Sequence, residues 1–237
     1  MELEEIIHSQ GFGSRKECRA LIRAGVVSVD NRPVGDPKRD FATDGLAFAV
    51  DGERWQYRER AYLMMNKPAG YECSRQPQCH PAIYTLLPWP LVRRGVQSVG
   101  RLDQDSCGLL LFSDDGKFIH RWSSGKKRVP KLYRAWLDED VGSEIVGRLL
   151  DGVRLHDEPE PFSAVDCRIR DPRVLEVTVT EGRYHLVKRM IAAAGGHVAR
   201  LQRLRIGGLW LPQDLPEGEW RWLDEVALAA LAAAPAD

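Results

Sequence analysis

The stretch from Gly100 to Phe112 constrains the fold more than any other part of the chain. Gly100-Arg101-Leu102-Asp103 opens a glycine-bracketed turn that continues through Gln104-Asp105-Ser106-Cys107-Gly108, and the apolar run Leu109-Leu110-Leu111-Phe112 follows at once. A short apolar run bounded by turn signals reads as a buried strand. The turn therefore sets the carboxylate of Asp103 just ahead of a buried strand, with an arginine two residues before it. A carboxylate so placed could be a nucleophile, a metal ligand or a turn former.

A chain of 237 residues can bury a proper core, either as one large domain or as a small domain beside a larger one. The N-terminal segments favour the second arrangement. Residues 2–10 and 14–24 both carry helical periodicity; in the second, Ser14 stands as N-cap, Glu17 completes a capping box and Gly25 is a stop. Val26-Val27-Ser28-Val29 reads as a strand, Asp30-Asn31 as a turn and Arg32-Pro33-Val34 as a return strand. This unit ends near residue 55 and the polar stretch 56–60 reads as a linker, which divides the chain into 1–57 and 58–237. Further on, strands are expected at 62–66, 108–112, 132–137, 164–170, 173–180 and 202–206, and helices at 114–123, 143–150, 184–195 and 224–234. Strands outnumber helices and show hairpin spacing around Asp171-Pro172. The expected class is α+β, with a mixed, largely antiparallel sheet and flanking helices.

Lys plus Arg and Asp plus Glu number 34 each, so net charge is silent about partners. Its distribution is not. Gly125 to Arg134 holds Lys126, Lys127, Arg128, Lys131 and Arg134 with no acid, and Gly182 to Gln213 holds Arg183, Lys188, Arg189, Arg200, Arg203 and Arg205 with none. Arg15, Arg19 and Arg23 recur every four residues, a basic stripe on one helix face beside Lys16. Segregated charge of this kind suits a polyanion. Five scattered cysteines form no disulfide framework, and the acidic start Met1-Glu2-Leu3-Glu4-Glu5 has no apolar signal core, so a cytoplasmic protein without membrane contact is expected. No long apolar patch calls for a dimer, and a monomer is expected.

Asp103, Asp105, Gly108 and Asp114 fall at positions one, three, six and twelve of a calcium loop, but Cys107 at position five is a poor calcium ligand and the apolar run closes the loop into a strand. Asp103 and Asp105 as a glycosidase pair is weak, because such carboxylates usually come from separate elements flanking a cleft. A single ionised carboxylate working beside arginine remains, next to the plainer reading as a turn residue. Cys73, Cys79 and His80 lack an identifiable fourth zinc ligand and read as solvated loop residues, so no metal site is expected.

Two resemblances give these residues roles. Gly11 to Cys18, Leu21 to Gly25 and Val27 to Val34 resemble an S4-type RNA-binding domain, departing from it at Leu3-Glu4-Glu5, where such domains usually carry Leu-Asp-Lys. Gly100-Arg101-Leu102-Asp103 with Ser106, Gly108-Leu109-Leu110 and Asp114-Asp115-Gly116 resembles the signature of the RsuA-type pseudouridine synthases. The other blocks of that family follow in order: Asn66-Lys67-Pro68-Ala69-Gly70-Tyr71, Lys131-Leu132-Tyr133, and Glu181-Gly182-Arg183-Tyr184-His185 with Val187-Lys188-Arg189-Met190, then Leu201, Arg203 and Ile206-Gly207-Gly208. Ser106 replaces the usual threonine and keeps the hydroxyl; Leu186 replaces the usual glutamine.

The resemblance implies isomerisation of uridine to pseudouridine in ribosomal RNA, a reaction without net redox change that calls for no cofactor. By the same resemblance Asp103 is the nucleophile or base, Lys188 is its paired cation, Tyr133 stacks on the target base and Leu201 walls its other side. Arg101 engages the RNA as the uridine leaves the helix. Arg183, Arg189, Arg203 and the run Lys126 to Arg128 hold phosphates, and Arg15, Lys16, Arg19 and Arg23 serve the S4-like module. The stretch 71–84, with Tyr71, Cys73, His80-Pro81 and Tyr84, together with Glu181-Gly182-Arg183-Tyr184-His185, favours the small-subunit type, whose target is 16S uridine 516. A large-subunit enzyme of the same family, or a non-catalytic ribosome-assembly protein binding RNA, are the alternatives. Between about 50 and 200 mM salt, RNA affinity measured by filter binding is expected to fall by orders of magnitude; a flat affinity would count against a basic RNA-binding face.

Overall fold

Helix formation at the N-terminus follows from its caps. In the computed structural model, which describes residues 1–233, Ser14 Oγ accepts the Glu17 amide while the Glu17 carboxylate accepts the Ser14 amide, closing the capping box that starts helix Arg15–Arg23. That helix and Leu3–Ser9 pack Leu3, Ile6, Ile7, Cys18 and Ile22 against Val27, Val29, Phe48 and Val50 of a four-stranded antiparallel sheet. Asp30 and Asn31 both hold positive φ, 49° and 62°, which gives a two-residue turn between Val27–Val29 and Arg32–Pro33 whose twist matches the strands.

Contacts gather Met1–Ala61 with Leu87–Gln97 in one unit, and Tyr62–Leu86 with the chain from Ser98 onward in the other. Three features of the first unit lie outside the sequence expectations. A second hairpin, Ala47–Val50 with Glu53–Gln56, turns at Asp51-Gly52; its first strand, Ala-Phe-Ala-Val, is too short and too apolar to show alternation. The stretch read as a linker is not free: Gln56 pairs with Ala47, the Tyr57 amide donates to Leu46 O, and the Arg58 amide donates to Gln10 Oε1. The helix Trp89–Arg94 belongs here because it lies on Gly11, where a Cβ would fall 2.0 Å from Pro90 O, and because Arg94 Nη1 donates to Gln10 Oε1 at 2.8 Å.

The second unit is built on one sheet, with strands in the order Trp220–Trp222, Tyr62–Lys67, Cys107–Ser113, Val198–Ile206, Lys131–Leu137, Val174–Val179 and Asp166–Asp171. Neighbours on this path are antiparallel except Cys107–Ser113 and Val198–Ile206, which run parallel, so the sheet is mixed and largely antiparallel as expected. Helices Gly116–Ser123, Ser143–Asp151, Leu186–Ala193 and Glu225–Ala232 accompany it. Residue 234, the last of the expected C-terminal helix, lies outside the described residues, as do 235–237 of the stretch 58–237.

Every residue of Cys107–Ser113 is buried, because neighbouring strands cover both edges and the apolar run fills both faces. Val198–Ile206 starts four residues before the strand expected at 202–206, since Arg200, Arg203 and Arg205 break up its apolar pattern. Helix Leu186–Ala193 is shorter than the 184–195 expected, because His185 at φ 50° is left-handed and cannot continue a right-handed helix.

Where the two parallel strands meet, Gly108 has φ 103°, and a Cβ there would sit 2.3 Å from Arg203 O and 2.7 Å from Arg203 N. Both the backbone angle and the space demand glycine. Gly108→Ala is expected to destabilise the protein by more than about 1 kcal/mol in denaturant unfolding, well beyond the effect of an exposed surface substitution.

Candidate active site

The turn that carries Asp103 is held from beneath by a lysine. Lys67, at the end of strand Tyr62–Lys67, is fully buried, and its Nζ donates to the carbonyls of Pro68 at 2.9 Å, Gln104 at 3.3 Å and Ser106 at 2.8 Å. Two further bonds close the turn: Gly70 N to Gln104 O at 2.7 Å and Ser106 N to Asp103 O at 3.1 Å. Burial pulls the Lys67 ammonium below its ordinary value, but the carbonyls meet its three N–H groups.

Above this turn lies a cavity of about 210 Å³ lined by Asp103, Tyr133, Leu201, Arg101, Arg183 and His185, among others. Strand register brings the parts together, pairing Arg203 with Tyr133 and Leu201 with Ala135 across neighbouring strands, while Gly108 pairs with Arg203 on the other side. Tyr133 is 9% exposed, Leu201 is 4% exposed, and Arg101 and Arg183 are open to solvent. An aromatic ring and an aliphatic wall beside a carboxylate, with cations at the rim, suit a flat heterocycle on a phosphate chain.

Asp103 is partly buried, and burial pushes its carboxyl above the ordinary aspartate value against the opposing charges of His185 and Lys188. Its direct neighbour is not the one the sequence implied. Lys188 Nζ donates to both oxygens of Asp105 at 2.6 Å, whereas His185 Nε2 lies 3.3 Å from Asp103 Oδ1. Burial works on Asp105 in the same upward direction, but the hydrogen bond and charge of Lys188 outweigh it and hold that carboxyl below its usual range. Lys188 thus reaches Asp103 through space and fixes the turn through Asp105. The turn has two carboxylates and the nearer one takes the ammonium.

One other expectation needs correction. Arg203 is 3% exposed and is a tie, not a phosphate ligand: its Nε donates to Leu109 O at 2.7 Å, and its Nη1 lies within hydrogen-bond reach of Tyr133 Oη at 3.4 Å and Arg101 O at 3.5 Å. Arg189 is half-buried, with Asp157 and Glu158 at 4.0 and 3.9 Å. In the N-terminal unit, Arg19 is bonded to the buried Glu4 at 2.5 and 2.8 Å and Arg15 lies 3.9 Å from Glu5, while Arg15, Lys16, Arg19 and Arg23 all stay exposed. The acids at the position where the S4 pattern has Leu-Asp-Lys are what Arg15 and Arg19 meet.

Sequence reasoning gave no site role to Lys67, Lys131 or His185, and weighed Asp105 only as a calcium ligand or as half of a glycosidase pair. Lys67 and Lys131 sat within recognised blocks, but their burial is invisible without the strands around them. Lys131 lines the cavity, donates to Val129 O at 3.0 Å, and is pulled down to about 8 by burial. Ser106 Oγ and Arg203 Nη2, both on cavity-lining residues, are buried without a protein partner and mark the floor as polar. The cysteines and histidine weighed as zinc ligands sit on a loop organised by Glu72, whose carboxylate accepts the amides of Gln78, Cys79 and His80.

Comparison with known proteins places this geometry. Residues 61–193 match the RNA pseudouridylate synthase family and residues 2–41 match the S4 domain. The chain is 36% identical over 237 residues to ribosomal small subunit pseudouridine synthase A of Escherichia coli (strain K12), covering 98% of this chain and 100% of that protein. It is 37% identical over 235 residues to the uncharacterized RNA pseudouridine synthase YtzG of Bacillus subtilis (strain 168), covering 98% of each. A crystal structure of a pseudouridylate synthase superposes with TM-score 0.69 at 32% identity, over 98% of this chain and 99% of the other. With a matching family domain, an S4 domain at its N-terminus and full-length relatives of the same architecture, the chain belongs to the RsuA-type pseudouridine synthases.

Proposed function

We propose that this protein isomerises one uridine of small-subunit ribosomal RNA, the 16S uridine 516, to pseudouridine, with Asp103 as the group on which turnover depends. The observation that carries the reading is a partly buried carboxylate on a braced turn at the edge of a cavity walled by Tyr133 and Leu201. Full-length similarity to an enzyme named for the ribosomal small subunit supports the choice of RNA.

In the reaction the C1′–N1 bond of the nucleotide breaks, the uracil turns, and a C1′–C5 bond forms. The proton on C5 leaves to solvent and N1 takes one up, so atoms and charge balance. Asp103 serves as nucleophile or base, and the turn keeps its carboxylate at the sugar side of the cavity. Tyr133 stacks on the base and Leu201 limits its travel while the bond to the sugar is open; base–aromatic stacking contributes roughly 1–3 kcal/mol. Lys188 orients the turn through Asp105. Extruding the uridine costs a few kcal/mol, and Arg101 at the cavity rim offsets part of that by engaging the RNA it leaves.

The basic segments divide the remaining work. Arg183, Arg189 and the run Lys126 to Arg128 meet phosphates beside the site, while residues 1–57 bring RNA through Arg15, Lys16, Arg19 and Arg23 and residues 58–237 carry out the chemistry. The protein acts as a monomer in the cytoplasm, on ribosomal RNA free or assembled with ribosomal proteins. Among the described residues no helix is long and apolar enough to cross a membrane.

Purified protein on transcript carrying tritium at uridine C5 tests the reading. Tritium release without loss of base is expected; a freed base would indicate a hydrolase, and binding without release a non-catalytic protein. Asp103→Asn should abolish release and leave RNA binding within about twofold, since it removes a charge that RNA does not seek. Because burial raises the Asp103 carboxyl, kcat should fall with acid along a limb centred above the ordinary aspartate value of ~4. A limb centred at or below that value would remove the carboxylate from the rate-determining chemistry.

A further inference from the structure

His185 stands apart from the rest of its helix. It precedes Leu186–Ala193 as the residue before the first turn, yet holds φ 50° and ψ 26°, a left-handed conformation that a side chain bearing Cβ adopts at a cost. Its ring is stacked on Tyr184, with centroids 3.7 Å apart and planes 18° from parallel. Tyr184 itself is 68% exposed, so the stack is a brace built at the mouth of the cavity and not part of a core. The left-handed backbone and the stack together turn the imidazole inward, where Nε2 comes within 3.3 Å of Asp103 Oδ1.

We propose that His185 is a positioning residue for Asp103, its imidazole holding the carboxylate toward the sugar side of the cavity while Lys188 acts two residues further along the turn through Asp105. The inference rests on the reading of Asp103 as the reacting group. It assigns the two nearby basic side chains separate tasks. Lys188 is committed to Asp105 by two 2.6 Å bonds and cannot also grip Asp103 without releasing it. Among the described residues, His185 has no acid other than Asp103 within ion-pair distance.

The charged groups bearing on Asp103 are Arg101 and Asp105 from its own turn, His185 and Lys188 from the third family block, and Lys67 from the strand below. Of these, His185 exerts the largest lowering effect, opposing burial. Removing the imidazole should therefore move the acid limb of kcat to higher pH, because the carboxylate then loses a partner that favours its charged form.

Two replacements separate ring from backbone. His185→Gly keeps the left-handed conformation without strain and removes the ring; His185→Asn tolerates the same conformation and keeps an N–H donor. In steady-state tritium release, His185→Gly is expected to lose about 10- to 100-fold in kcat with KM within about twofold, in the range seen when a residue orienting a reactive group is removed. His185→Asn should regain most of that loss. The acid limb should shift upward in both, since neither replacement carries the imidazole that lowers the Asp103 carboxyl.

Asp103→Asn, run in parallel, separates the two readings. If it is inactive while His185→Gly keeps wild-type kcat and an unmoved acid limb, His185 does not position the carboxylate. A loss confined to KM would also overturn the inference, making His185 an RNA contact. Turnover by Asp103→Asn would instead overturn the assignment of Asp103 on which this one rests. Thermal unfolding of each variant shows whether a loss is one of folding; if His185→Gly fails to fold, His185→Asn decides through its acid limb, whose failure to move counts against the inference.

Discussion

A buried ammonium organises the catalytic unit. Lys67 has no access to solvent, and its three N–H groups are spent on three carbonyls belonging to two separate segments, the end of its own strand and the turn after Asp103. Burying an unpaired charge would cost several kcal/mol, so the site is stable only while those carbonyls converge on it. That requirement runs both ways. The turn cannot relax away from the sheet without stranding the charge, and the charge cannot leave without releasing three carbonyls that point inward. The position of Asp103 is thus set by backbone atoms of its neighbours, with no direct bond to the lysine below.

The same logic recurs one layer higher. Arg203 lies on the strand that runs parallel to the signature strand, and its guanidinium links the Leu109 carbonyl to the hydroxyl of Tyr133. Two family blocks that are remote in sequence are joined by this one side chain. It can do so because Gly108 lets the two backbones approach to a distance that no Cβ would allow. Cations in the floor of this cavity act first as cross-links between elements, while Arg101 and Arg183 at its rim remain open to a ligand.

Much of this was legible in the sequence, unevenly. The capping box at Ser14, the Asp30-Asn31 turn and the buried strand after Asp103 could be read because each has a local signature: a cap, a dipeptide, an apolar run. The hairpin at Asp51-Gly52 and the helix Trp89–Arg94 could not, since both are short and owe their form to what they pack against. For the site, ordered blocks located Asp103, Tyr133 and Leu201 at one cavity. They did not reveal which cation meets which acid. Asp103 and Asp105 are two residues apart, and only the path of the backbone decides that Lys188 takes the second. Arg203 shows the same limit: a basic residue in a basic segment reads as a phosphate ligand until burial shows that it is a strut.

The pairing of Lys188 with Asp105 has a consequence for how an isomerase lets go. That pair cancels its own charge, so the cavity is left with Asp103 and Glu181 among Arg101, Lys131, Arg183, His185 and Arg203. Uridine and pseudouridine carry the same charge and the same phosphates, and a basic cavity attracts them equally. Electrostatics therefore gives the enzyme no means of telling finished from unfinished RNA. What differs is one more N–H on the turned base, at the ring position that formerly bore the sugar. Discharge of the product must then depend on that single new donor, or on the RNA folding into a shape that withdraws the nucleotide, which would link the end of each catalytic cycle to the maturation of the RNA itself.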